Sequence, residues 1–93
     1  MRKKIPKTDL LITFEAVAQY ESYTRAAEEL SLTQSAVFRQ IAALEEFLNV
    51  SLFHHVRKRI FLSDAGKHYL GLVHDTLDKL EKDTRDIMSW QSS

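Results

Sequence analysis

Apolar residues recur at helical spacing along most of this chain, and the most informative run is residues 33–48, TQSAVFRQIAALEEFL. Val37, Ile41, Leu44 and Leu48 fall four, three and four apart, which puts them on one face of a helix. Thr33 is a good N-cap, because its hydroxyl can accept an orphan N–H of the first turn. The opposite face lacks the usual cover of long charges. It carries Ser35, Arg39 and Ala42, flanked by Gln34 and Phe38. Taken alone, the run is either an ordinary amphipathic core helix or a helix buried on one side that offers short polar groups and one ring from the other. Gln, Arg and Ser can hydrogen-bond base edges, and an apolar group can rest on a thymine methyl.

The preceding pattern favours the second reading. Leu10, Leu11, Phe14, Val17 and Ala18 predict a first helix, capped by Thr8 or Asp9 and ending near Glu21. Ser22 and Tyr23 form a short link, and Thr24 can cap a second helix, TRAAEEL, with Ala26, Ala27 and Leu30 inward. Ser31 and Leu32 then turn tightly into Thr33. Two helices joined by three or four residues predict a helix-turn-helix.

Downstream, Asn49 can close the helix in a left-handed conformation. Residues 50–56 and 59–62 are short and β-prone, with Arg57 and Lys58 between them. They predict a two-stranded wing with a cationic tip, Ile60 and Leu62 on one side and Arg59 and Phe61 on the other. Ser63 caps a last helix, with Asp64 favourable in its first turn. On it Leu70, Val73, Leu77, Leu80, Thr84 and Ile87 alternate three and four apart, a heptad seam interrupted by a polar residue. The helix is too long for so small a core to cover, so the seam is expected to face another helix, with part of it free to pack on the chain's own first helix. Trp90 is a further candidate contact. The expected division is a flexible basic arm at 1–7, a winged helix-turn-helix at 8–62, a linker helix at 63–90 and a disordered tail at 91–93.

Composition narrows the class. Ninety-three residues make one domain with an appendage, and a modest core that dimerisation would help. There is no Cys, hence no disulfide framework or thiolate metal site. No apolar run approaches a membrane span or a signal-peptide core, so a cytoplasmic protein with no membrane partner is expected. Zero net charge argues mildly against nucleic acid, but its distribution argues the other way. Residues 1–62 hold nine Lys/Arg against seven Asp/Glu, and residues 63–93 hold four against six. Cations cluster at Arg2, Lys3, Lys4 and Lys7 and again at Arg57, Lys58 and Arg59. Such patches matter more for phosphate contact than the total, although either could be a solvated charge run. His54 and His55 are adjacent, so in a strand they point apart, and His68 and His74 lack the i, i+4 spacing of zinc pairs. With no glycine-rich phosphate loop either, no metal, no cofactor and no enzymatic activity are expected.

The run Phe14, Val17-Ala18, Ser22-Tyr23-Thr24-Arg25-Ala26-Ala27-Glu28-Glu29-Leu30, Thr33-Gln34-Ser35-Ala36-Val37, Arg39-Gln40-Ile41, Leu44-Glu45, Leu48, Leu52-Phe53 and Leu62-Ser63-Asp64-Ala65-Gly66 resembles the DNA-binding domain of LysR-type transcriptional regulators. The resemblance covers roughly residues 8–70. It implies a mainly α fold: a bacterial winged helix-turn-helix of three helices plus a short two-stranded wing, followed by a long dimerising linker helix. It implies sequence-specific binding of double-stranded DNA, helix 33–48 in the major groove and the wing at the minor groove. Thr33 with the first N–H groups of its helix would hold one phosphate, and Thr24, beside Arg25, another. Gln34 and Arg39 are the candidates for base edges, Ser35 is small enough for close approach, and Arg57, Lys58 and Arg59 would grip the neighbouring minor groove. Leu70, Val73, Leu77, Leu80, Thr84 and Ile87 would pair antiparallel with a second copy. The homodimer would occupy an inverted repeat. The resemblance also implies a larger C-terminal domain that takes a small-molecule effector and supports a tetramer in a full-length protein. These residues are then expected to be the DNA-binding part of something longer.

The sequence departs from the family pattern at several positions. Ser35 stands where Pro is frequent, Phe38 where Ser is common, His55 where Arg is usual, Lys58 where Arg is common and Phe61 where a basic residue is common. These changes weaken phosphate contact and put the target sequence in doubt, not the fold. With the zero net charge, Phe38, His55 and Phe61 are also what would favour the alternative, a winged-helix protein-interaction or dimerisation module without DNA binding.

Overall fold

The computed structural model describes residues 2–92. Its elements run α1 (Thr8–Tyr20), α2 (Tyr23–Leu30), α3 (Gln34–Leu48), β1 (Phe53–Val56), β2 (Arg59–Leu62), α4 (Asp64–Met88) and a closing 3-10 turn (Ser89–Ser92). The fold is mainly helical with a two-stranded antiparallel wing, as expected. Met1, in the expected arm, and Ser93, in the expected tail, lie outside the described residues.

Helix α1 is the hub, packed by α2 and α3 and by α4. It therefore buries more than one stripe: Thr13 and Ala16 are covered as well as Leu11, Phe14, Val17 and Ala18, whereas Leu10 is only partly buried. Phe14, fully buried, meets the rings of Phe53 at 5.7 Å and Tyr69 at 5.5 Å, so α1, the wing and α4 share one core. Val37, Ile41 and Leu44 turn into it from α3, as their spacing predicts. The buried Thr13 hydroxyl donates to the Gln40 side-chain oxygen, which sets the roll of α3 against α1.

The helix caps correct two expectations. Neither Thr8 nor Asp9 caps α1. Lys7, extended after Pro6, takes the position without a side-chain bond, and Thr8 and Asp9 are already helical. Thr24 does not cap α2 either. Ser22 is extended at φ −157° and its hydroxyl accepts the Arg25 N–H at 3.1 Å, so the helix starts at Tyr23. Thr33 and Ser63 cap α3 and α4 as predicted, accepting from Ala36 and Gly66. Ser31 and Asn49 close α2 and α3 in the left-handed region. In each case the next amide bonds back five residues, Leu32 to Ala27 and Val50 to Glu45, the Schellman arrangement.

The first strand is shorter than the β-prone run 50–56. Leu52 and Phe53 donate their N–H groups to the Glu45 carboxylate at 2.7 and 3.3 Å, and the Leu52 carbonyl accepts from Ser63 N–H, so pairing with β2 begins only at Phe53. The start of α4 is pressed against this segment. A Cβ at Gly66 would collide with the Leu52 carbonyl oxygen, so only glycine fits there.

The seam on α4 divides, and this narrows the expected dimer face. Val73 is 3% exposed and belongs to the chain's own core, with Leu70 and Leu77 packed beside it. Leu80, which borders a groove between α4 and the start of α1, and Ile87 are 50% and 61% exposed. Regular spacing alone does not tell which seam members an intrachain neighbour covers.

Candidate nucleic-acid interface

Three elements contribute to one face. The N-terminal half of α3 exposes Gln34, Ser35, Phe38 and Arg39, which with Tyr23 line a shallow groove of about 340 Å³. The first amides of α3 have no carbonyl one turn earlier to accept them, and they give its start a positive partial charge. Thr24 and Arg25 are exposed in the first turn of α2. The Arg25 guanidinium lies 4.7 Å over the Tyr20 ring, a cation–π contact that holds it near the helix start.

The wing joins this face through Tyr23. Its ring meets Phe38 of α3 edge-on at 5.6 Å and stacks near His55 of β1 at 6.0 Å. Its hydroxyl shares a 3.0 Å hydrogen bond with His55 Nε2. Burial, and secondarily the Glu45 charge, push the Tyr23 hydroxyl above its ordinary value near 10. Two carboxylates hold the wing from behind. Glu45 of α3 takes the amides of Leu52 and Phe53, and Glu21, at the end of α1, takes the Leu62 amide at 3.1 Å. The sequence reading missed the roles of Tyr23, Glu21, Glu45 and the Thr13–Gln40 bond. A glutamate at a helix end next to a short strand was the available signal, but its partners are tertiary.

At the wing tip, Val56 pairs Arg59, leaving Arg57 and Lys58 as a two-residue connection. Their φ values are 50° and 68°. Such hairpins want positive φ at both central positions, which normally selects Asn-Gly. Arg and Lys carry a Cβ, so each costs about 1–2 kcal/mol there. The tip thus gives up stability to present two adjacent cations.

Among the described residues, none of Arg25, Arg39, Arg57, Lys58 and Arg59 has a carboxylate within ion-pair distance. The ion pairs lie on α4 and its contact with α1: His74 with Glu15 and Asp78, Lys79 with Asp83, Arg85 with Glu81. No group of three or more metal-ligating side chains occurs among the described residues, and no described helix is long and apolar enough to cross a membrane.

A capped helix exposing short polar groups, a cationic hairpin fixed beside it and a long helix leaving the core define a winged helix-turn-helix protein. The chain matches bacterial regulatory helix-turn-helix proteins of the lysR family over residues 8–67, and it belongs to that family. It is 37% identical over 89 residues to the glycine cleavage system transcriptional activator of Escherichia coli K12, covering 96% of this chain and 29% of that protein. It is 44% identical over 75 residues to the RuBisCO operon transcriptional regulator of Allochromatium vinosum, covering 77% of this chain and 25% of that protein. The chain thus spans under a third of the length of these curated relatives. Among solved structures it resembles the CbnR DBD–DNA complex, with a TM-score of 0.85 and 27% identity over 90% of this chain and 97% of that one.

Proposed function

We propose that this chain is the DNA-reading part of a LysR-family transcriptional regulator, working in the cytoplasm as a homodimer on an inverted-repeat operator. The observation that carries it is the set of cations without acidic partners on the face that exposes the start of α3. Cations left unpaired beside a helix N-terminus suit phosphates. In this reading α3 enters the major groove, with Gln34 and Arg39 at base edges and Ser35 allowing close approach. Thr24, Arg25 and Thr33 hold phosphates, and Arg57, Lys58 and Arg59 follow the adjacent minor groove. Residues 8–62 form the reading module and 63–90 the linker helix, whose exposed Leu80, Thr84 and Ile87 meet a second copy. A C-terminal effector domain and a tetramer belong to the full-length regulator in this proposal, and the role requires no catalysis.

The test is a binding selection from random duplex DNA, followed by titration of the enriched site at several salt concentrations. The expected result is an inverted repeat, two chains per site and a steep salt dependence. Failure to enrich any sequence, with no salt-dependent retention on DNA, would turn the assignment to a protein-interaction module, the reading favoured by the exposed Phe38.

A further inference from the structure

Phe38 and His55 are neighbours through one residue. Tyr23 touches both, edge-on to Phe38 at 5.6 Å and hydrogen-bonded to His55 at 3.0 Å. Phe38 nevertheless remains 54% exposed, one turn along α3 from Gln34 and Ser35 and next to Arg39. Its ring is braced from one side and left open on the side where the polar groups are. The shallow groove around it takes in Tyr23, Gln34, Ser35 and Arg39. In the major groove of duplex DNA, the apolar feature on the base edges is the C5-methyl of thymine.

Resting on the function proposed above, we infer that Phe38 reads a thymine: its ring covers the C5-methyl of one thymine in each half-site, with Tyr23 as a positioning residue. His55 ties that support to the wing, so the ring is presented at a fixed place between the recognition helix and the hairpin.

The probe is the enriched operator with each thymine replaced in turn by deoxyuridine, which removes the methyl and leaves every hydrogen-bonding group. At one symmetry-related pair of positions the parent chain should bind roughly four-fold more weakly per methyl removed, the worth of one buried carbon. Phe38→Ser should bring that ratio close to one, while Phe38→Leu, still apolar, should keep about half of the effect on a logarithmic scale. Tyr23→Ala should also lower the thymine-to-uracil ratio, and Tyr23→Phe, which keeps the bracing ring, should restore it. That ratio compares two operators with one protein, so a general loss of stability does not move it. A selected operator with a flat uracil scan, or an equal penalty in the parent and Phe38→Ser, overturns the thymine contact and leaves DNA binding standing. Absence of any selected sequence overturns both.

Discussion

The two ends of the molecule treat charge in opposite ways. On α4 three side-chain pairs join a cation or imidazole to a carboxylate at i, i+4 spacing, Lys79 with Asp83, Arg85 with Glu81 and His74 with Asp78. On the α2, α3 and wing face the cations stand without acidic partners among the described residues, and the Glu21 and Glu45 carboxylates are occupied with backbone amides of the wing. One surface carries ion pairs and an excess of carboxylates, and the other carries cations outside any ion pair. A zero net charge therefore says little about nucleic-acid binding in this chain, because it averages an acidic C-terminal helix, four Lys/Arg against six Asp/Glu over residues 63–93, with an excess of cations, nine against seven, over residues 1–62.

The largest expected effect comes at the joint between the two regions. Gly66→Ala should destabilise the fold by about 3 kcal/mol through collision with the Leu52 backbone, and Gly71→Ala, in open space on the same helix, should stabilise it by about 0.5–1 kcal/mol. Urea denaturation of the two variants measures both, and similar midpoints would mean that α4 is not seated tightly against the wing. Next, Arg39→Ala should weaken binding to the selected operator by about 1–3 kcal/mol while changing nonspecific binding far less. Equal operator affinity would remove Arg39 from base reading.

Two lysines put the contrast most directly. Lys58→Ala should weaken binding to all duplexes and flatten the salt dependence by about one unit of slope. Lys79→Ala, removing the same charge from the paired surface, should leave the slope unchanged and shift stability by less than about 0.5 kcal/mol. If both lower the slope equally, the cationic face is not special.

The smallest effect is the pH response of His74. Its hydrogen bond to Glu15, and then the nearby Asp78 charge, raise the imidazole above its ordinary value near 6.5. A raised value means that the protonated form is favoured by folding. The contribution is therefore complete below that ordinary value and is lost as pH rises through the higher folded one. The urea midpoint of the parent should exceed that of His74→Gln by more at about pH 5.5 than at about pH 8.5. A difference that grows with pH would contradict the α1–α4 tie.

What the sequence made legible was local. The spacing of Val37, Ile41 and Leu44, the caps at Thr33 and Ser63 and the alternation of Ile60 and Leu62 are decided within a few residues, and all appear in the structure. Ser22 and Thr24 are equally good caps by composition, and the choice fell to whichever residue sits extended when α2 packs on α1. The heptad seam was visible, but not that Val73 is covered by its own chain. The wing supports were least legible: Glu21 meets Leu62 forty-one positions away, and His55 meets Tyr23 thirty-two away. Phe38 and His55 stand out singly in the sequence, and only folding makes them parts of one device.

The left-handed pair at the wing tip has a consequence for how this chain can change. Asn-Gly at positions 57 and 58 would relieve the backbone, so a population selected only for folding should drift there within a few substitutions. It would grow hardier as it lost its hold on duplexes. Retaining Arg57 and Lys58 therefore depends on continued selection for grip, and a library sorted for heat resistance alone should show the loss of function first at these two codons.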